Sequence, residues 1–170
     1  MKHFFRFTVL LLLFISQTCF GQDSLSILNS KWNKLKVELQ RRSDVVNSLI
    51  DVLSKSLKVD KEQLKKIETI NVDLLKFVDT LNSTDSSSIS TASAKNDKLT
   101  QALVRTLLAI ENNLKLKSNQ DIFALLMHLE GCENRIAFAK KEYNDNCKEY
   151  GRLDLLFGKD QPGKAKQVEY

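Results

Sequence analysis

The chain has 170 residues, a formal net charge of +5, 42% hydrophobic residues and 28% charged residues. These values are typical of a single globular domain, and they argue against disorder, collagen-like repeats and a disulfide-dependent scaffold. Between Gln22 and Glu130 the sequence contains no Gly and no Pro, whereas a sheet protein needs tight turns that draw on both residues. The composition therefore favours an all-α fold over all-β and α/β folds.

Residues 1–21 have the pattern of an export signal. Lys2 and Arg6 form a basic start, residues 7–15 form an apolar core, and Gly21 ends a short segment that suits cleavage. The apolar core is nine residues long, far short of the ~20 residues that a membrane-spanning helix needs. This length favours a signal peptide over a membrane anchor.

Cleavage would give a mature chain that begins at or near Gln22 and has a net charge of +3, because two basic residues leave with the leader. A retained N-terminal membrane anchor and a lipid anchor on Cys19 are the alternatives to cleavage. Export also argues against a role with cytoplasmic nucleic acid.

Four stretches with apolar residues spaced three and four apart predict four long amphipathic helices. The fourth repeats every seven residues and predicts a helix of about 30 residues. Short polar links between such helices predict an antiparallel four-helix up-and-down bundle over residues 22–156, followed by a flexible polar tail at 157–170. The predicted core positions are Leu25, Leu28, Trp32, Leu35, Leu39, Arg42, Val46, Leu49 and Leu53; Leu64, Ile67, Asn71, Leu74, Val78 and Leu81; Ala92, Asn96, Leu99, Leu103, Leu107, Ile110 and Leu114; and Ile122, Leu125, Leu129, Cys132, Ile136, Ala139, Tyr143, Asn146 and Tyr150.

Local signals predict where these helices begin and end. Asp60 is suited to cap the second helix, and the polar residues 82–88 are expected to form a solvated connection before the third. Ser118 and Asp121 have the spacing of a capping box at the start of the fourth helix. Gly151 is expected to end that helix.

Cys132 and Cys147 both fall on the predicted fourth helix. Their separation of 15 residues corresponds to ~22 Å along a helix, whereas a disulfide needs Cα atoms within about 7 Å of each other. We therefore expect two unpaired thiols that pack as small apolar side chains.

The sequence lacks the residue sets on which catalysis and metal binding depend. His128 is the only histidine beyond residue 21, and no Glu precedes it by three residues, so the Glu-x-x-His pattern of di-iron bundles is missing. One histidine and two distant cysteines cannot build a zinc site, and no Gly-rich phosphate loop is present. We expect no enzymatic activity, no metal site and no cofactor.

Polar residues interrupt the first and fourth helices at 41–44 and 130–135. If these helices lie antiparallel, Arg42 comes level with Glu130 and Glu133. Because an unpaired buried charge is very costly, we predict that Arg42 pairs with one of these carboxylates. The polar residues then either form a structural layer that sets the helix register or recognise a partner.

Three further residues break the apolar pattern. Asn71 and Asn96 occupy core positions and are expected to join the polar layer if their helices are in matching register. Gly131 costs a helix ~1 kcal/mol relative to Ala, so we attribute it to the close approach of another helix.

The interrupting stretches resemble motifs of the LemA family. Residues 38–53, E-L-Q-R-R-S-D-V-V-N-S-L-I-D-V-L, are similar to the family's Q-R-R-A-D-L-I-P-N-L-V segment. Residues 116–123, L-K-S-N-Q-D-I-F, resemble its L-K-S-N-Q-x-F segment, and residues 129–137, L-E-G-C-E-N-R-I-A, resemble L-E-G-T-E-N-R-I-A. Residues 143–144 match its Y-N pair, so that the resemblance covers roughly residues 30–150.

The chain departs from the family pattern at two of these places and at its end. The family's proline falls on Asn47, and its second Y-N pair falls on Tyr150 and Gly151. The family's hydrophobic C-terminal end is reduced here to residues 153–157.

The resemblance implies a bacterial envelope protein whose four-helix bundle lies outside the cytoplasm, usually on an N-terminal membrane segment, with no established enzymatic activity. We therefore expect an exported protein, periplasmic or membrane-associated, that binds another envelope protein or a second copy of itself. An extracytoplasmic ligand-sensing bundle and a peripheral membrane-remodelling protein are the alternatives. The candidate residues for a polar layer or partner site are Arg41, Arg42, Asp44, Glu130, Glu133, Asn134, Arg135, Tyr143 and Asn144.

Overall fold

The chain is mainly helical in the part that a computed structural model describes. That part is the backbone of residues 2–56 and 59–158 and the side chains of residues 24–56 and 59–158. No strand occurs in these ranges, which confirms the predicted all-α class. Five helices replace the four that the sequence predicts. They are α1 (Lys2–Ser54), α2 (Lys61–Thr80), α3 (Ser86–Glu111), α4 (Leu114–Lys117) and α5 (Gln120–Glu149), followed by a 3-10 turn at Leu153–Leu155.

The predicted leader lies at the start of α1. The side chains of residues 1–23 lie outside the described residues, so the export signal, the retained anchor and the lipid anchor on Cys19 all stay predictions. Across the portion of the chain with described side chains, no helix is long and apolar enough to cross a membrane.

The core follows the predicted helical spacing closely. In α1 every predicted position from Leu28 to Leu53 is buried, and only Leu25, the first of the series, is exposed. In α2 and α5 the predicted positions are buried or half-buried throughout. Side chains from α1, α2, α3 and α5 share one hydrophobic cluster, so the apolar faces of the four long helices cover one another.

Helix α1 packs against both α5 and α2, and α2 packs against α3. Lys31 bonds Glu142 at 3.2 Å and Arg42 bonds Glu133 at 3.1 Å. The residue numbers rise along α1 while they fall along α5, so these two helices run antiparallel. Between α3 and α5, which are both fully described, no two Cα atoms approach within 8 Å, and an open cleft separates them.

Aspartate side chains begin two of the helices. Asp60 accepts hydrogen bonds from the amides of the second and third residues after it, at 2.9 and 3.3 Å, which confirms the predicted cap of α2. The predicted connection at 82–88 is too long, because Asp85 accepts from the amides of Ser87 and Ser88 and starts α3 there. The connection therefore ends at Asp85, three residues before its predicted end.

Two predictions near the start of α5 are wrong. Leu114 is not a core position of the third helix, because α3 ends at Glu111 and Leu114 begins α4 with 83% of its surface exposed. Ser118 does not cap α5. The cap is Asn119, whose Oδ1 accepts from the amide of Ile122 at 3.0 Å.

The chain turns back onto the core after α5. Gly151 follows the helix with a φ of +67°, a conformation that favours glycine, and this confirms the predicted end. The tail predicted from residue 157 is wrong at Phe157, because this side chain is buried against Trp32 at a ring-centroid distance of 5.9 Å. Residues 159–170 lie outside the described residues.

Cys132 and Cys147 are both unpaired and buried on α5. This confirms the expectation that they pack as small apolar side chains.

Candidate functional site

A buried arginine lies at the centre of the predicted polar residues. Arg42 is fully buried, and its Nη1 donates to Glu133 Oε1 at 3.1 Å and to Thr100 Oγ1 at 3.3 Å. Its Nη2 donates to Asn96 Oδ1 at 2.7 Å. The predicted pairing with Glu133 is therefore confirmed, and Asn96 joins this polar layer as expected. Thr100 also belongs to it and was missed, although it lies one turn after Asn96.

The two charges of this pair have different environments. Arg42 projects from a core position of α1, where no water reaches it, whereas 40% of the Glu133 side chain is exposed at the α3–α5 cleft. Breaking a buried pair is costly mainly when a buried charge is left without a counter-charge. Loss of the Glu133 carboxylate should therefore cost more stability than loss of the Arg42 guanidinium group, because only the first leaves a buried charge without a counter-charge.

Asn71 does not join the Arg42 layer. Its Nδ2 donates to Asn47 Oδ1 at 3.0 Å and to the carbonyl of Ser43 at 3.3 Å. Both partners are on α1, so this asparagine links α2 to α1. Asn47 occupies the position of the proline in the family that the chain resembles, and its side chain accepts one of these hydrogen bonds.

Tyr143 packs in the core against α1, and Asn144 holds the C-terminal segment. The Tyr143 ring meets Trp32 edge-on at a centroid distance of 5.7 Å, and burial raises the pKa of its hydroxyl. Asn144 donates from Nδ2 to the carbonyl of Phe157 at 3.0 Å and accepts at Oδ1 from the amide of Phe157 at 2.9 Å. Both residues are buried, so they act in the interior and offer no surface to a partner.

Two other arginines lie on the surface and share one carboxylate. Arg41 Nη1 donates to Glu38 Oε1 at 2.6 Å, and Arg135 Nε donates to Glu38 Oε2 at 3.0 Å. The hydrogen bond to Glu38 is the main cause that raises the pKa of Arg135. We call these three residues the arginine clamp. Glu38 was missed in the sequence, although its spacing of three residues from Arg41 suits a helical ion pair.

Two consecutive grooves run along α1 and α5, and Arg41 and Arg135 line both. The first groove has a volume of about 670 Å³ and includes Val37 and Phe138 in its walls. The second has a volume of about 420 Å³ and includes Met127. Val37, Met127 and Phe138 are exposed. We call the surface made by these three residues and the arginine clamp the α1–α5 face.

The remaining candidates are spread around this face. Asn134 lines the first groove and Asp44 lines the second. The carboxylate of Asp44 takes part in none of the ion pairs among the described residues. Glu130 lies on the other side of α5, where it lines the α3–α5 cleft of about 380 Å³. The structure thus divides the predicted site into a buried layer, a C-terminal anchor and an exposed face.

Gly131 does not mark a close helix contact, and that prediction is wrong. A Cβ atom placed on it would meet only Arg135 Nη1, at 3.5 Å, which is an ordinary van der Waals distance. A Cβ atom would therefore fit here without displacing a neighbour. The Arg135 side chain beside it also donates from Nη2 to Cys132 Sγ at 3.2 Å.

No group of three or more His, Cys, Asp or Glu side chains within the described ranges is arranged to hold a metal ion. His128 is exposed and lines the second groove beside Gly131. The arrangement offers hydrogen-bond donors, cations and apolar surface, which are means of recognition.

Comparison with known proteins adds one finding. The sequence model described as the LemA family matches residues 31–154. The matched range includes the Arg42 layer, the arginine clamp and, apart from Ser30, every residue that lines the two grooves. No curated protein matches the chain.

Proposed function

Because the chain belongs to the LemA family over residues 31–154, we propose that it is a non-enzymatic helical module of the bacterial cell envelope that binds another protein. The single observation that carries this proposal is the exposed apolar surface of the α1–α5 face. Its partner is another envelope protein or a second copy of the chain. No nucleic acid is involved in this proposal.

The exposed apolar residues of α5 lie on one side of the helix. Phe123, Met127 and Phe138 are all exposed, and 66% of the Phe138 surface is open to solvent. Their spacing of four and eleven residues places them on one stripe of an α-helix. Clustered exposed apolar side chains next to arginine are typical of protein-binding surfaces.

The framework of the module is, in this proposal, an antiparallel four-helix bundle made by α1, α2, α3 and α5. Two contacts between α1 and α2 support it, one from Lys36 to Asp79 at 3.1 Å and one from Asn47 to Asn71 at 3.0 Å. Their numbers rise on α1 and fall on α2, as in the α1–α5 pairs. The short link between α2 and α3 suits an antiparallel neighbour.

The proposed location is outside the cytoplasm, either periplasmic or associated with the membrane. The basic start, the short apolar core and the Gly21 boundary of the leader support export. A retained N-terminal segment would anchor the same module to the membrane.

Photo-crosslinking in living cells tests the protein-binding role. A photoreactive residue is placed at position 138 in the full chain, and a matched control carries it at Val72, an exposed apolar residue on α2. We expect a crosslinked protein from position 138 that is lost when Met127→Asp is added, and none from position 72. Equal crosslinking from both positions, or none from position 138, would contradict the proposal.

A further inference from the structure

The arginine clamp holds two positive charges on one negative charge. Glu38 is only 14% exposed and directs its two oxygens to the guanidinium groups, whereas the side chains of Arg41 and Arg135 are 57% and 51% exposed. Neither arginine has another ion-pair partner among the described residues. The clamp therefore has a net charge of +1, and the side chains of both of its arginines are more than half exposed to solvent.

The clamp lies between apolar surfaces on both sides. Phe138 is three residues from Arg135 on one side, and Met127 is eight residues from it on the other. Along α5 these distances correspond to ~4.5 Å and ~12 Å. Since both grooves follow two antiparallel helices and meet at the clamp, a ligand that fills both is elongated, with a polar group between two apolar ends.

We propose that the α1–α5 face binds an amphipathic helix of a protein partner, which places a carboxylate on Arg41 and Arg135 and apolar side chains in the grooves on either side. This inference rests on the proposed protein-binding function and specifies the chemistry of the partner. A helix suits the surface because a groove between two helices accepts a third one lengthwise, with anchors on one face. Asp44 also lines the second groove, one helical turn after Arg41, and its charge disfavours an acidic residue beside it.

Carboxylate recognition by two guanidinium groups is strong and directional. Hydrogen bonds between charged partners are roughly twice as strong as neutral ones, and the planar guanidinium group matches the geometry of a carboxylate. The exposed positions of the two arginines also mean that salt screens the attraction. The binding we propose is consequently selective for acidic peptides and weakens as ionic strength rises.

Selection from a phage-displayed library of random peptides of about 20 residues tests the inference on the full chain. We expect the wild type, and a control with Lys65→Gln and Lys66→Gln on α2, to select peptides in which Asp or Glu lies between aliphatic or aromatic residues. A selected peptide, made synthetically, should bind the Arg41→Gln, Arg135→Gln variant about tenfold more weakly, in line with the loss of charged hydrogen bonds. The charge-reversed Arg41→Glu, Arg135→Glu variant should select Lys or Arg instead. Circular dichroism verifies that each variant is folded.

Two results would overturn the inference while the proposed function stands. The first is that the selected peptides share no acidic residue. The second is that a peptide whose binding is abolished by Phe138→Asp binds equally well to the wild type and to the Arg41→Gln, Arg135→Gln variant. A third result would also overturn it: no acidic peptides are selected, and the chain sediments with vesicles of anionic phospholipid only when both arginines are present. The α1–α5 face would then bind a membrane surface and not a helix. If Phe138→Asp also leaves peptide binding unchanged, and Met127→Asp leaves crosslinking from position 138 unchanged, the proposed function fails as well.

Discussion

Arg42 is the one charged residue that is buried within the described part of the chain. It is a fully buried arginine whose counter-charge, Glu133, is 40% exposed. Its remaining contacts are to the neutral oxygens of Asn96 and Thr100, and its Nε has no hydrogen-bond partner among the described residues. A buried ion pair of this kind contributes specificity of register more readily than stability.

This asymmetry leads to unequal effects of mutation. Glu133→Ala leaves a charge in the core and should lower the free energy of unfolding by about 3 kcal/mol. Arg42→Met should cost much less, since it removes both the buried charge and an unpaired N–H group while it keeps most of the volume. The double variant should be more stable than Glu133→Ala alone, which chemical denaturation of all four proteins can measure.

The exposed pair between Lys141 and Asp145 on α5 provides a control, since such i, i+4 surface pairs contribute little. Asp145→Ala should leave the denaturation midpoint nearly unchanged. Additive effects of Arg42→Met and Glu133→Ala would show that the two charges do not depend on each other.

At the scale of the helices, the start of each described helix after α1 is capped by an Asp or Asn side chain. These caps accept hydrogen bonds from backbone amides that have no partner within the helix. Asp85 has additional hydrogen bonds, because the hydroxyl groups of Ser88 and Ser87 also donate to its carboxylate. These bonds lower its pKa to about 2. The start of α3 is therefore sensitive to acid.

The pH dependence of stability should report this cap. Because the pKa of Asp85 is lower in the folded protein than its ordinary value of 3.8, the charged form stabilises the fold above that pH. This contribution decreases as the pH falls below 3.8 and is lost once the pH has passed through the folded pKa of about 2. Thermal denaturation should therefore show a wild type that is more stable than Asp85→Asn at pH 6, with a difference that shrinks as the pH falls from 3.8 through about 2.

Asparagine retains the capping oxygen but not the charge, so it isolates the effect of ionisation. Asp85→Ala removes the cap as well and should be less stable than Asp85→Asn at every pH. A difference between the wild type and Asp85→Asn that does not change with pH would contradict the assignment.

At the scale of the whole molecule, the segment after α5 closes one end of the core. Phe157 contacts Trp32 on α1, and its backbone amide and carbonyl are both bonded to Asn144 on α5. Without this return of the chain after Gly151, the side of Trp32 that Phe157 covers would be open to water.

Removal of the Phe157 ring should therefore expose Trp32 to solvent. Phe157→Ala should lower the free energy of unfolding by about 3–5 kcal/mol, the usual range for a fully buried phenylalanine, and should shift Trp32 emission to the red. Leu153→Ala, in the same segment but at an exposed position, is the matched control and should change neither quantity appreciably. Unchanged emission of folded Phe157→Ala would show that Trp32 does not depend on the segment.

The N-terminus of the mature protein is a second property of the whole molecule. We expect the chain recovered from the exported fraction to begin at or near Gln22, which intact-mass measurement determines directly. Leu12→Arg, which places a charge in the apolar core of the leader, should keep the uncleaved chain inside the cell. Full-length protein in the membrane fraction would instead identify the leader as an anchor.

The sequence alone was sufficient for features whose cause lies within a few residues or within one helical repeat. The spacing of apolar residues placed Trp32 and the core positions of α1, α2 and α5, and the chemistry of Asp60 and Gly151 placed helix ends. The pairing of Arg42 was also predictable, because a charge at a core position requires an opposite charge at the same level of a facing helix.

Only the tertiary structure determined the features that join distant parts of the chain. Glu38 and Arg135 are 97 residues apart, and no local pattern shows that they meet. Phe157 was predicted to begin a polar tail, but the fold places it on Trp32. Gly131 was attributed to the approach of another helix, but only a side chain of its own helix lies near it. Side-chain periodicity determines which face of a helix is buried, but which surface covers that face depends on how the chain returns.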